Sequence, residues 1–125
     1  MKFDYLDKVF VITGAAGGIG SHLAKEISLY KGIVIALDIN QSKLDQLIKE
    51  LPGDKHSSIC FDLTDKSEMI KAIEQINSQF GRIDVLVNNA AITSAERFDE
   101  RSLDSIEKRI IDKSLITVTF YAFSN

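Results

Sequence analysis

Thr13-Gly14-Ala15-Ala16-Gly17-Gly18-Ile19-Gly20 follows directly on the apolar run Val9-Phe10-Val11-Ile12. Glycines at this spacing let backbone amides come close to an anion that side chains would hold away. If a helix begins there, its positive end and unpaired N–H groups point at the same spot, which suits a phosphate. A second residue type stands at a matching distance. Asp38 closes the run Ile33-Val34-Ile35-Ala36-Leu37-Asp38, eighteen positions after Gly20. A carboxylate there can accept two sugar hydroxyls, so turn and acid together read as a dinucleotide site. The acid also opposes a 2′-phosphate: like charges about 4 Å apart repel by roughly 4 kcal/mol at an effective dielectric near 20. No Arg or Lys at positions 14–20 or 37–40 offsets that repulsion, so NAD is expected over NADP.

These residues need a scaffold, and the chain alternates short apolar runs with helical patterns. The runs are Val9 to Thr13, Ile33 to Leu37, Ser57 to Phe61 and Val85 to Asn88, nearly continuous in apolar character as strands covered on both faces are. The first helix is expected to bury Ile19, Leu23, Ile27 and Tyr30 and to stop at Gly32. The second carries Leu44, Leu47, Ile48 and Leu51 at helical spacing and ends at Pro52-Gly53. Thr64 is the expected N-cap of the third, with Met69, Ile73, Ile76 and Phe80 as its stripe and Gly81 as its stop. A fourth helix is expected from near Ser102, with Leu103, Ile106, Ile110 and Ser114 facing inward. The order β-α-β-α-β-α-β-α with right-handed crossovers predicts an α/β fold, a Rossmann-like, doubly wound parallel sheet of order 3-2-1-4. The glycine turn then lies at the switch point, between strands 1 and 4.

Asp62-Leu63 after the third strand and Gly81-Arg82-Ile83-Asp84-Val85-Leu86-Val87-Asn88-Asn89-Ala90-Ala91 complete a pattern. Together with Thr13-Gly14-x-x-x-Gly18-Ile19-Gly20 and Asp38, the chain resembles the N-terminal half of the short-chain dehydrogenase/reductase family. The spacing of Gly14, Gly17 and Gly20 also fits that family's extended, epimerase-like branch, whereas Asn88-Asn89 favours the shorter dehydrogenases. The resemblance implies that Asp62 meets the adenine amino group with Leu63 beside it. It also implies that Asn89 and Ala90 line the cofactor, while Thr13 and Asn88 brace the turn. The candidate cofactor-binding set is Gly14, Ala16, Gly17, Gly18, Ile19, Gly20, Asp38, Ile39, Asp62, Leu63, Asn89, Ala90 and Ala91. Ala91 stands where the family's Asn-Asn-Ala-Gly ends in glycine.

The family's catalytic Ser, Tyr and Lys have no counterpart here, since none of Tyr5, Tyr30 and Tyr121 is followed by lysine four positions on. Ser114 stands where the family usually has an Asn that holds a relay water. Residues 1–125 are thus expected to form an incomplete NAD-binding domain, with no catalytic residue assigned. Leu115 to Phe123 is apolar almost all round and is expected to be a buried helix. The fourth strand is then expected to be an open edge, favouring self-association through that edge and the apolar tail. Two functions stay open. One is an NAD-dependent oxidoreductase moving a hydride between nicotinamide and an alcohol or carbonyl, seen as its cofactor half. The other is a non-catalytic NAD-binding module or truncated paralogue.

Composition narrows the field further. Of 125 residues, 45% are hydrophobic and 26% charged, with a net charge of -3, which suits one globular domain and opposes a nucleic-acid face. No apolar run reaches membrane-spanning length. Cys60 is the single cysteine, so no internal disulfide can form and a reducing cytoplasm is expected. It reads as a buried strand thiol. His22 and His56 lack metal-ligand spacing, and no metal site is expected.

Overall fold

The computed structural model describes residues 4–89 and the strand Ile116–Thr119. The expected fourth helix, with Ser114, the expected cofactor contacts Ala90 and Ala91, and Tyr121 lie outside the described residues. The elements run β1 (Val9–Thr13), α1 (Gly18–Leu29), β2 (Ile33–Asp38), α2 (Gln41–Glu50), β3 (Ser57–Cys60), α3 (Lys66–Phe80), β4 (Val85–Asn88) and β5 (Ile116–Thr119). All strand pairs are parallel and the order is β3-β2-β1-β4-β5, which contains the expected 3-2-1-4.

β5 is a correction. A run of Ile116, Thr117, Val118 and Thr119 was expected to be helical, yet it pairs with β4 from Val85↔Ile116 to Asn88↔Thr119. β-Branched side chains are stiff at χ1 and suit a pleated surface better than a helix, and β4 offered a free edge. The edge expected to be open is therefore taken by the chain's own strand. β5 in turn forms that edge of the described sheet.

Strand residues alternate between two cores, one on each face of the sheet. Val9, Val11, Ile33, Ile35, Leu37 and Leu86 pack with Met69, Ala72, Ile73 and Ile76 of α3. Phe10, Ile12, Val34, Ala36, Val85 and Val87 meet Ala24 and Ile27 of α1 and Leu44 and Leu47 of α2. Helices on both faces leave the two ends of the strands as the places where polar chemistry can sit.

Several local expectations shift by a residue or two. α1 buries Gly20, Ala24, Ile27 and Ser28, while Ile19 and Tyr30 are exposed. Ile27 and Leu23 face the sheet as expected, and the rest of the inner face is built from the small residues Gly20, Ala24 and Ser28, which let the helix lie close to the sheet. The cap of α3 is Asp65, which accepts from the amides of Ser67 and Glu68; Thr64 turns back to Asp62 instead. Cys60 is exposed because β3 is an edge strand, and its thiol donates to the Ile39 carbonyl at 3.2 Å.

α1 ends in a Schellman turn: Gly32 N–H donates to Ile27 O at 3.0 Å and Lys31 N–H to Ser28 O at 3.1 Å. The left-handed residue is Lys31, at φ 72°, and not the glycine after it. Gly32 is required for space, since a Cβ there would lie 2.6 Å from Ile27 Cγ2. Lys31→Gly should therefore stabilise the protein by about 1 kcal/mol, read as a higher urea midpoint at unchanged slope.

Candidate functional site

The carboxyl ends of β1, β2 and β4 bring the glycine turn, Asp38 and Asn89 together. Gly14 starts the turn at φ 65°, a conformation that side-chain-bearing residues adopt only with strain. Ala15 N–H then donates to Leu37 O at 3.2 Å, Ala16 N–H to Asp38 Oδ2 at 3.0 Å, and Gly17 N–H to Gly14 O at 3.1 Å. Two of these bonds staple the turn to the end of β2.

α1 begins immediately afterwards, with Gly17 as an N-cap that offers no side-chain acceptor. The first helical N–H with a partner is that of Ser21, donated to Gly17 O at 2.8 Å. The amides of Gly18, Ile19 and Gly20 take no acceptor among the described residues. Three unfilled donors at a helix N-terminus are suited to an anion. The space above them is open: a Cβ on Gly18 would meet nothing within 4 Å. Below, the packing is tight. A Cβ on Gly20 would lie 2.4 Å from Gly14 O, 2.8 Å from Ala15 Cα and 2.9 Å from Asn89 Nδ2.

Asn89 is buried and tied in by its backbone, whose N–H donates to Thr13 Oγ1 at 2.9 Å. The Thr13 hydroxyl shares its hydrogen between Asn88 Oδ1 at 3.2 Å and Val87 O at 3.4 Å. Thr13 and Asn88 thus brace the turn against β4, the part the family resemblance implied for them.

Asp38 is half-buried; its Oδ2 takes Ala16 N–H and its Oδ1 takes Asn40 N–H at 3.1 Å. Each carboxylate oxygen keeps a second lone pair for an incoming hydroxyl. Ile39 beside it is 65% exposed. Asp62 follows β3 on the same side of the sheet and is exposed. Thr64 donates its hydroxyl (2.7 Å) and its N–H (3.0 Å) to Asp62 Oδ1, and these bonds hold the carboxyl below the usual carboxylate range. Leu63 is buried in the core with α3.

These residues fit a bound dinucleotide: empty amides for the diphosphate, an acid for the ribose, and a second acid two residues beyond β3. Among the described residues no three His, Cys, Asp or Glu side chains gather to hold a metal ion. No helix among them is long and apolar enough to cross a membrane.

One key residue was quoted in the sequence pattern without a role. Asp84 is 6% exposed and lies at the opposite, amino end of the sheet. Its Oδ2 takes Val9 N–H at 2.8 Å and Arg82 Nε–H at 2.8 Å, while its Oδ1 takes Arg82 Nη2–H at 2.6 Å. The available signal was an acid set between apolar Ile83 and the strand.

Comparison with known proteins agrees with this geometry. The family description "short chain dehydrogenase" matches residues 8–121. An uncharacterised oxidoreductase of Bacillus subtilis, YxjF, is 32% identical over 120 residues, 94% of this chain and 46% of its own. A 3-ketoacyl-(acyl-carrier-protein) reductase from Brucella melitensis, solved with NADH, is 30% identical with a TM-score of 0.65, covering 82% of this chain and 43% of its own. A metagenomic short-chain oxidoreductase solved with NADP is 27% identical with a TM-score of 0.66, over 72% and 41%. The chain spans less than half the length of the curated relative it matches here. With that match running through β1, the glycine turn, both strand-end aspartates and β4, the chain belongs to the short-chain dehydrogenase family.

Proposed function

We propose that this chain is the dinucleotide-binding part of an NAD-dependent oxidoreductase acting on an alcohol or carbonyl substrate. The observation that carries the reading is the pairing of Asp38 with the glycine turn. A carboxylate bonded to Ala16 N–H stands beside three amide N–H groups that donate to no acceptor among the described residues. The amides of Gly18, Ile19 and Gly20 hold the diphosphate, and Asp38 takes the adjacent ribose hydroxyls. Asp62 accepts from the adenine amino group, with Leu63 supporting the strand end from the core. Thr13 and Asn88 fix Asn89 and so set the depth of the cleft. When bound, the nicotinamide supplies or accepts the hydride.

Asp38 also sets the choice between cofactor forms. A 2′-phosphate would face a fixed negative charge with no Arg or Lys at positions 14–20 or 37–40 to offset it, and even a solvated residue of that repulsion gives tenfold discrimination for about 1.4 kcal/mol. Calorimetric titration of the wild type is expected to favour NADH over NADPH by about tenfold or more. Asp38→Ala should erase most of that preference. An unchanged ratio in the variant would remove Asp38 from the role, and failure of the folded wild type to bind either form would remove the function.

A further inference from the structure

β3 is a weak strand with an important position. It is four residues long, sits at the edge of the sheet, and contributes Ser57, Ser58, Ile59 and Cys60. Only Ile59 among them packs on the core, as a partly buried side chain. Short edge strands with so little apolar pattern have poorly specified register, and a slip by one residue exchanges the faces of every side chain. Yet Asp62, two residues beyond Cys60, must end at one place if the adenine is to be met.

The residue before the strand supplies what the strand lacks. The β2–β3 ladder starts at Ile35↔Ser57. One step earlier, Val34 N–H donates to His56 Nδ1 at 3.0 Å, so an imidazole nitrogen stands in for a backbone acceptor. The other ring nitrogen, Nε2, lies 2.7 Å from the Pro52 carbonyl and must carry the hydrogen of that bond. The turn closes tightly over the ring, since a Cβ on Gly53 would come within 3.2 Å of Nε2. At the far end, Phe61 N–H donates to Asp38 O at 3.0 Å.

We propose that His56 pins the register of β3 and is thereby a positioning residue for Asp62 at the adenine end of the site. The positioning role rests on the dinucleotide reading above; the pin does not. The pin needs a neutral ring, because a proton on Nδ1 would face the Val34 N–H donor to donor. The charged groups lining the same groove are Asp7, Lys31, Asp54 and Lys55, with Lys55 Nζ 3.6 Å from Asp7 Oδ1.

Amide hydrogen exchange on the full chain tests the pin, with the central β1 residue Ile12 as internal reference. Loss of this part-buried hydrogen bond in His56→Ala should lower protection at Val34 about tenfold and leave Ile12 unmoved. His56→Asn should restore it, because Asn Oδ1 lies the same number of bonds from the backbone as His Nδ1 and accepts without titrating. His56→Gln, whose amide oxygen lies one bond farther from the backbone, should lose protection at Val34 as His56→Ala does, and it decides the matter if His56→Ala fails to fold. Equal Val34 protection in wild type and in whichever of these two variants folds overturns the pin.

ADP is the probe for positioning, and its affinity should fall several-fold in His56→Ala and recover in His56→Asn. Unchanged ADP binding with a loosened Val34 overturns the positioning role alone. A wild type that ignores ADP overturns the dinucleotide reading, and the positioning role with it, while the exchange result still judges the pin.

Discussion

Gly20→Ala is expected to lower stability by about 3 kcal/mol and the thermal midpoint by roughly 10 °C, and to cut NADH affinity more than tenfold. The added methyl would sit 2.4 Å from Gly14 O and 2.8 Å from Ala15 Cα. Both are backbone atoms of the turn, so no side-chain rotation relieves the clash. α1 must move away from the sheet, carrying its empty amides with it. Gly18→Ala separates folding from binding, because its methyl would enter open space. That variant should melt within about 2 °C of the wild type, alanine being the better helix former. Under the proposed role of the Gly18 amide, the added methyl should nevertheless weaken NADH binding. Scanning calorimetry and fluorescence titration on the pair check both halves. A Gly20→Ala protein as stable as the wild type would show that the turn is not packed as described.

Asp84→Ala should cost about 3 kcal/mol, measured as a shift of the urea midpoint. The carboxylate is 6% exposed and takes three N–H groups, one from Val9 and two from Arg82. Removing it leaves the Val9 amide buried without an acceptor and takes the Asp84 charge away from the Arg82 guanidinium. Arg82 has 46% of its side chain exposed and can turn to water, which keeps the loss below that of a fully buried pair. Asp84→Asn keeps an oxygen for Val9 N–H and Arg82 Nε–H but gives up the charge and sets an NH2 against Arg82 Nη2–H, so it should cost about 1–2 kcal/mol, less than Asp84→Ala. Because Asp84 stands at the end of the sheet away from the glycine turn, neither variant should alter the ratio of NADH to NADPH binding.

The glycine turn and Asp38 were legible because each is dictated locally. A left-handed residue, a close helix approach and a charge at a strand end leave few alternatives in residue type. The parallel order followed from the alternation of apolar runs with helical stripes. What misled was competition between neighbours of similar local merit. Thr64 and Asp65 both cap helices well, and the choice fell to Asp65 because Asp62 engages Thr64. In α1 the large residue Ile19 looked buried, yet the close approach to β1 selects Gly20 and Ala24 for the inner face. Ile116 to Thr119 is apolar in either conformation, and only an unfilled partner edge decides for a strand. His56 gave no signal at all. Its part depends on Val34 and Pro52, which are placed around it by a turn and a register, not by spacing along the chain.

The central position of β1 has a consequence for the order of events during synthesis. β2 reaches β1 across about two dozen residues, but the bond from Val9 N–H to Asp84 spans 75 positions and that from Asn89 N–H to Thr13 spans 76. A nascent chain emerging from the ribosome can assemble β1, β2 and β3 long before β4 leaves the exit tunnel. Asn89, against which Gly20 is packed, arrives last of these. The glycine turn proposed to hold the diphosphate, although encoded within the first twenty residues, is fully packed only when the eighty-ninth has docked.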